Sequence, residues 1–103
     1  MWIYFADANV SISQHKDAPG SLMVRARDRE SLERLFPVAT LIETPEADYR
    51  WRVTLPRARV VAAVVERLQR LDYTDDVKNL VDHTRRDLYR DLWAVTRGYF
   101  WSA

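Results

Sequence analysis

Cysteine is absent from this sequence, which excludes disulfides, thiolate metal sites and cysteine nucleophiles and fits a reducing compartment. Glycine is scarce: Gly20 and Gly98 are the only two, so no glycine-rich loop can cradle a phosphate. Lysine is confined to Lys16 and Lys78, and arginine supplies the remaining positive charge, which favours planar, bidentate contacts over point charges. No serine sits in a nucleophile elbow, and no carboxylates form a recognisable catalytic pair. No apolar run approaches a membrane span. Met1 to Phe5 is too short for a secretory signal and has no basic region before it. The expectation is a cytoplasmic, non-enzymatic protein with no cofactor, no metal and no membrane contact.

The chain of 103 residues is 48% hydrophobic and 30% charged, which places it among globular chains and suits one domain over 1–103. The formal net charge is only +1. A dedicated nucleic-acid binder ordinarily carries a clear basic excess.

Trp2 to Phe5 reads as a strand of aromatic and β-branched residues, and Val10 to His15 alternates apolar and polar side chains at strand period. Asp17-Ala18-Pro19-Gly20 reads as a break and Leu22 to Arg27 as a third strand. Asp28 is placed to cap a short helix carrying Leu32, Leu35 and Phe36, which Pro37 ends. Val38 to Ile42 predicts a strand, 43–48 a polar loop, and Tyr49 to Leu55 a regular strand. In that strand Tyr49, Trp51, Val53 and Leu55 face the core, and Arg50, Arg52 and Thr54 face away. Pro56 opens a helix over Arg57 to Leu71, with Glu66 and Arg70 paired outside. A short helix through Val81 follows. A last helix, Arg85 to Arg97, turns Leu88, Leu92 and Val95 inward and stops at Gly98, leaving an aromatic tail over 99–103.

The order βββαββαα suits an α+β fold, a ferredoxin-like sandwich variant. Its mainly antiparallel sheet has about five strands, with helices on one face. The strand at Leu22 crosses over through a helix to a parallel partner at Val38, and the strand at Tyr49 inserts between them.

Three constellations stand out. Arg25, Arg27, Arg50 and Arg52 should gather on the sheet face opposite the helices. There they would bind phosphate, RNA or an acidic protein surface, or be solvated and neutralised by carboxylates such as Glu43. The aromatic ends, Trp2 with Tyr99, Phe100 and Trp101, are either interface anchors or a tail folded onto the first strand. His83 with Asp82 and Asp87 could hold a metal or act as a base in a metal-assisted hydrolase. A surface histidine beside helix-end carboxylates is the plainer account.

The segments LMVRAR at 22–27, Leu35-Phe36-Pro37, Glu43-Thr44-Pro45 and Ala47-Asp48-Tyr49-Arg50-Trp51-Arg52, with Tyr89 and Leu92-Trp93, resemble a family of short uncharacterised proteins. These are encoded in bacterial and phage genomes. The likeness runs from about Trp2 to Trp93 and departs at Thr74 to Val77 and at the aromatic tail. It brings no site residue or cofactor with it. It implies a host or phage protein as partner and an inhibitor of a host process, of anti-CRISPR or other anti-defence type, acting by steric occlusion. An RNA- or DNA-binding domain using the arginine face is the alternative. A homodimer through the first, edge strand is a further option.

Overall fold

Short runs of β-branched and aromatic residues, interrupted by two amphipathic helical stretches, build the first 71 residues around one sheet. The computed structural model describes residues 1–79, 81 and 83–101, with the side chains of His83 and Thr84 left aside. The described chain forms two compact units, Met1–Leu71 and Asp72–Ala103.

In the first unit the strands are β1 (Trp2–Tyr4), β2 (Asn9–His15), β3 (Ala18–Ala26), β4 (Ile42–Glu43) and β5 (Trp51–Pro56), and the helices are α1 (Arg29–Leu35) and α2 (Arg57–Gln69). The sheet order is β1-β2-β3-β5-β4, and every neighbouring pair is antiparallel. β3 and β4 therefore run parallel with β5 inserted between them, joined by the crossover through α1 that the sequence pattern predicts. The result is an α+β arrangement consistent with a ferredoxin-like variant.

Strand alternation separates two faces. Ile12, Val24 and Val53 lie in one cross-strand row and are buried with Val10, Ala26 and Leu55. Leu32, Leu35 and Phe36 of the α1 region and Val60 of α2 complete this core, with Ala63, Val64 and Trp51 packed against it. Both helices thus cover the same face. Asp28 caps α1 as expected. Its carboxylate accepts from the Ser31 backbone N–H at 3.2 Å and from the Ser31 hydroxyl at 2.7 Å. The fully buried Ser31 Oγ in turn accepts the Asn9 backbone N–H at 2.9 Å, tying the helix start to β2. A cap of this kind is worth about 1 kcal/mol.

Several boundaries differ from the sequence pattern. The turn between β2 and β3 is confined to Lys16–Asp17. Ala18, Pro19 and Gly20 belong to β3, where the register shifts between Gln14 and His15. A bulge tolerates a proline without an N–H. The strand expected from Val38 shrinks to Ile42–Glu43, because the chain first turns, with the Ala39 N–H bonded to the Phe36 carbonyl at 3.1 Å. Tyr49 lies outside β5, which starts at Trp51.

Among its described residues, the second unit holds a 3-10 turn, Val77–Asn79, and the helix α3 (His83–Trp101). Of the short helix expected through Val81, the described residues show the 3-10 turn Val77–Asn79, and Leu80 lies outside them. α3 does not stop at Gly98; Tyr99, Phe100 and Trp101 form its last turn. The stripe expected to point inward is exposed: Leu88, Leu92 and Val95 stand in solvent, whereas Val81 and Tyr89 are buried. No helix among the described residues is long and apolar enough to cross a membrane.

Candidate functional site: the arginine row and the exposed aromatics

On the sheet face opposite α1 and α2, one row crosses all five strands. Trp2 pairs with Ser11, Ser11 with Arg25, Arg25 with Arg52, and Arg52 with Ile42. Trp2 at one end is 73% exposed and Ile42 at the other is 58% exposed. Ser11, Arg25 and Arg52 lie between them, Ser11 buried and both arginines half-buried.

The four arginines singled out from the sequence divide into two kinds. Arg27, just past the end of β3, forms a two-pronged pair with Asp48, Nε to Oδ1 at 3.2 Å and Nη2 to Oδ2 at 2.9 Å. That hydrogen bond raises the Arg27 pKa, outweighing the opposite effect of burial. Arg50, just before β5, donates through Nε to Glu43 at 2.8 Å at the β4 edge. These two match the expectation of arginines neutralised by nearby carboxylates, Glu43 among them.

Arg25 and Arg52 have no carboxylate partner among the described residues. Arg25 Nη2 reaches Ser11 Oγ at 3.5 Å, and its guanidinium lies 4.7 Å from the Tyr49 ring centroid. Arg52 Nη2 donates to the Tyr49 backbone carbonyl at 3.2 Å. The Nε atoms of both arginines are buried and lack an acceptor. Leaving a buried donor unsatisfied costs about 1–3 kcal/mol.

Tyr49 is the main correction to the sequence reading of this face. Strand alternation placed its ring in the core. Because β5 begins two residues later, the ring instead lies under two guanidiniums of the opposite face, Arg25 at 4.7 Å and Arg27 at 4.4 Å. Trp51 does turn to the core side, where Arg29 covers its ring at 5.0 Å. Ser11, Tyr49 and Ile42 were not legible as site residues, since their place follows from cross-strand register and from where β5 starts. The polar Ser11-Ser13 alternation was the only available signal.

The aromatic residues of α3 belong to the other unit. Tyr99, Phe100 and Trp101 are 77%, 74% and 78% exposed. Tyr99 and Phe100 meet edge to face at 5.0 Å, and Arg97 lies 5.6 Å from the Trp101 ring. The structure therefore places Trp2 with the arginines, and Tyr99, Phe100 and Trp101 together on one helix turn. Asp82 and the His83 side chain lie outside what the structure describes, so the histidine constellation is not formed from described side chains. Among the described residues, no group of three histidine, aspartate or glutamate side chains is placed to hold a metal ion.

Set against protein-family models, curated proteins and solved structures, the chain matches none of them.

Proposed function

We propose that this protein is a non-enzymatic protein-binding module of the cytoplasm that acts by covering a partner's working surface. The observation that carries this reading is the exposure of its aromatic ends. Trp2, Tyr99, Phe100 and Trp101 all keep more than two-thirds of their surface in solvent. Large aromatic side chains left outside a core are characteristic anchors of protein interfaces. The arginines add charge-assisted hydrogen bonds to acidic groups. The likeness to bacterial and phage-encoded proteins extends the reading to a host or phage protein as partner and to inhibition of a host process, anti-CRISPR or other anti-defence activity included.

The test uses the full chain as bait for host protein, alongside Trp2→Ala and the double variant Phe100→Ala/Trp101→Ala. Capture of the partner should fall about tenfold or more in the variants, with thermal melting unchanged. Undiminished capture would contradict the proposal, as would unfolding of the double variant, which would make those rings part of the core.

A second reading, single-stranded nucleic acid on the sheet face, is favoured by one observation. Tyr49 shares that face with Arg25 and Arg27, and sheet-face recognition of RNA combines aromatic rings with basic side chains. Binding that falls steeply with salt and disappears on replacing Arg25 and Arg52 would select it.

A further inference from the structure

The centre of the sheet carries two charges that no carboxylate among the described residues neutralises. Arg25 and Arg52 stand directly opposite each other in the β3–β5 ladder, and like charges at opposed positions repel. A neutralising carboxylate would ordinarily sit between them. Here the local carboxylates are engaged elsewhere, Asp48 with Arg27 and Glu43 with Arg50. The buried Nε–H groups of Arg25 and Arg52 have no acceptor. Two half-buried arginines at opposed positions, each with its guanidinium carrying several N–H donors, match what a carboxylate supplies: two oxygens, each able to accept from more than one N–H.

We propose that an acidic side chain of a protein partner seats its carboxylate between Arg25 and Arg52 and accepts hydrogen bonds from both. This rests on the reading of the protein as a protein-binding module and names the chemistry of its contact. Ser11 Oγ steadies the Arg25 end of the pair. Trp2 and Ile42, exposed at the two ends of the same row, form apolar shoulders. The carboxylate is the recognised group, and apolar residues beside it in a partner would rest on those shoulders. A protein carboxylate fits better than a nucleic-acid backbone. The net charge is only +1, and the row offers a single arginine pair without a carboxylate partner, not the basic track that successive phosphates require.

The full chain is titrated with an octaglutamate peptide, an octaglutamine peptide and a twelve-nucleotide oligothymidine. Wild type is compared with Arg25→Gln, Arg52→Gln, Arg52→Met and Arg50→Gln. Octaglutamate should bind and octaglutamine should not. Arg25→Gln and Arg52→Gln should each weaken octaglutamate binding by about tenfold or more, and Arg50→Gln by less than about threefold. Without peptide, Arg52→Met should melt close to wild type, because removing a repelling charge and an orphaned N–H offsets the lost hydrogen bond to the Tyr49 carbonyl. That result would separate lost binding from lost folding.

The proposal is overturned if octaglutamate fails to bind, or if Arg50→Gln costs as much as Arg52→Gln. It is also overturned if oligothymidine binds more tightly through the same pair, or if Arg52→Met melts far below wild type, which would show that the fold itself answers that charge. Partner capture that depends on Trp2 and Phe100/Trp101, with no octaglutamate binding, would keep the protein-binding reading and remove the carboxylate seat. Octaglutamate binding at the arginine pair, with capture indifferent to the aromatic substitutions, would do the reverse.

Discussion

Asp7 sits in the turn between β1 and β2, where side chains from both helices of the first unit converge on it. Arg67 of α2 donates to its two carboxylate oxygens at 2.5 and 3.3 Å, and Arg34 of α1 donates to its backbone carbonyl at 2.6 Å. Burial opposes ionisation of this carboxyl. The hydrogen bond and charge of Arg67, with the charge of Arg34, outweigh it and hold the pKa below the ordinary 3.8. A folded-state pKa below the unfolded one gives stability that is fully present above 3.8 and is lost as pH falls through the lower folded value. Asp7→Asn should therefore lower the urea midpoint at neutral pH, and the gap to wild type should close in acid, below the lowered folded-state value. A gap that persists in acid would mean the side chain matters for packing and not for its charge. The same Arg67 lies 5.4 Å from the Phe5 ring, so one long side chain, 16% exposed, ties the first strand region to α2. None of this was legible from spacing, because Asp7 and Arg67 are far apart in sequence and meet only once the sheet is assembled.

At the scale of elements, the sequence was most informative where a local signal and the tertiary environment agree. The Asp28 cap, the short α1 ended before Pro37, and α2 opening after Pro56 all follow from side-chain chemistry within a few residues. Glu66 and Arg70 pair on the outside of α2 at 3.6 Å, as their spacing predicts. Where local signals were misleading, the reason is specific. Pro19 and Gly20 resemble a turn, yet the register shift beside them lets the strand absorb both. Gly98 after Arg97 resembles a helix stop, but such a stop needs the left-handed conformation, and no glycine here has positive φ. The helix passes straight through to Trp101. A glycine inside a helix costs about 0.5–1 kcal/mol relative to alanine, and a methyl group at Gly98 would meet nothing within 4 Å. Gly98→Ala should thus stabilise α3 by up to that amount, seen as a higher melting temperature at the helical circular-dichroism band. A lower melting temperature would show that the position requires glycine for a reason the helix geometry does not contain.

For the whole molecule, the strand order agrees with connection rules: a helical crossover from β3 to β4 makes them parallel, and β5, returning antiparallel, fits between them. The faces of the sheet were legible in the same way, because alternation in β2, β3 and β5 separates valine, isoleucine and leucine from serine and arginine. The division of labour among the arginines was not. Arg27 and Arg50 find carboxylates in the 43–48 segment, while Arg25 and Arg52 face each other. That difference depends on register, which shifts every side chain if it slips by one residue. The exposed stripe Leu88, Leu92 and Val95 of α3 was read as core because periodicity reports an apolar face without reporting what covers it. The most direct measurement is a nuclear magnetic resonance titration of the isotope-labelled full chain with octaglutamate, following backbone amides and the arginine Nε–H signals. Shifts centred on Ser11, Arg25 and Arg52, with the Trp2 indole moving alongside, are the expected result. Shifts centred on Arg85, Arg86 and Arg90 of α3, with Arg25 and Arg52 unmoved, would contradict it.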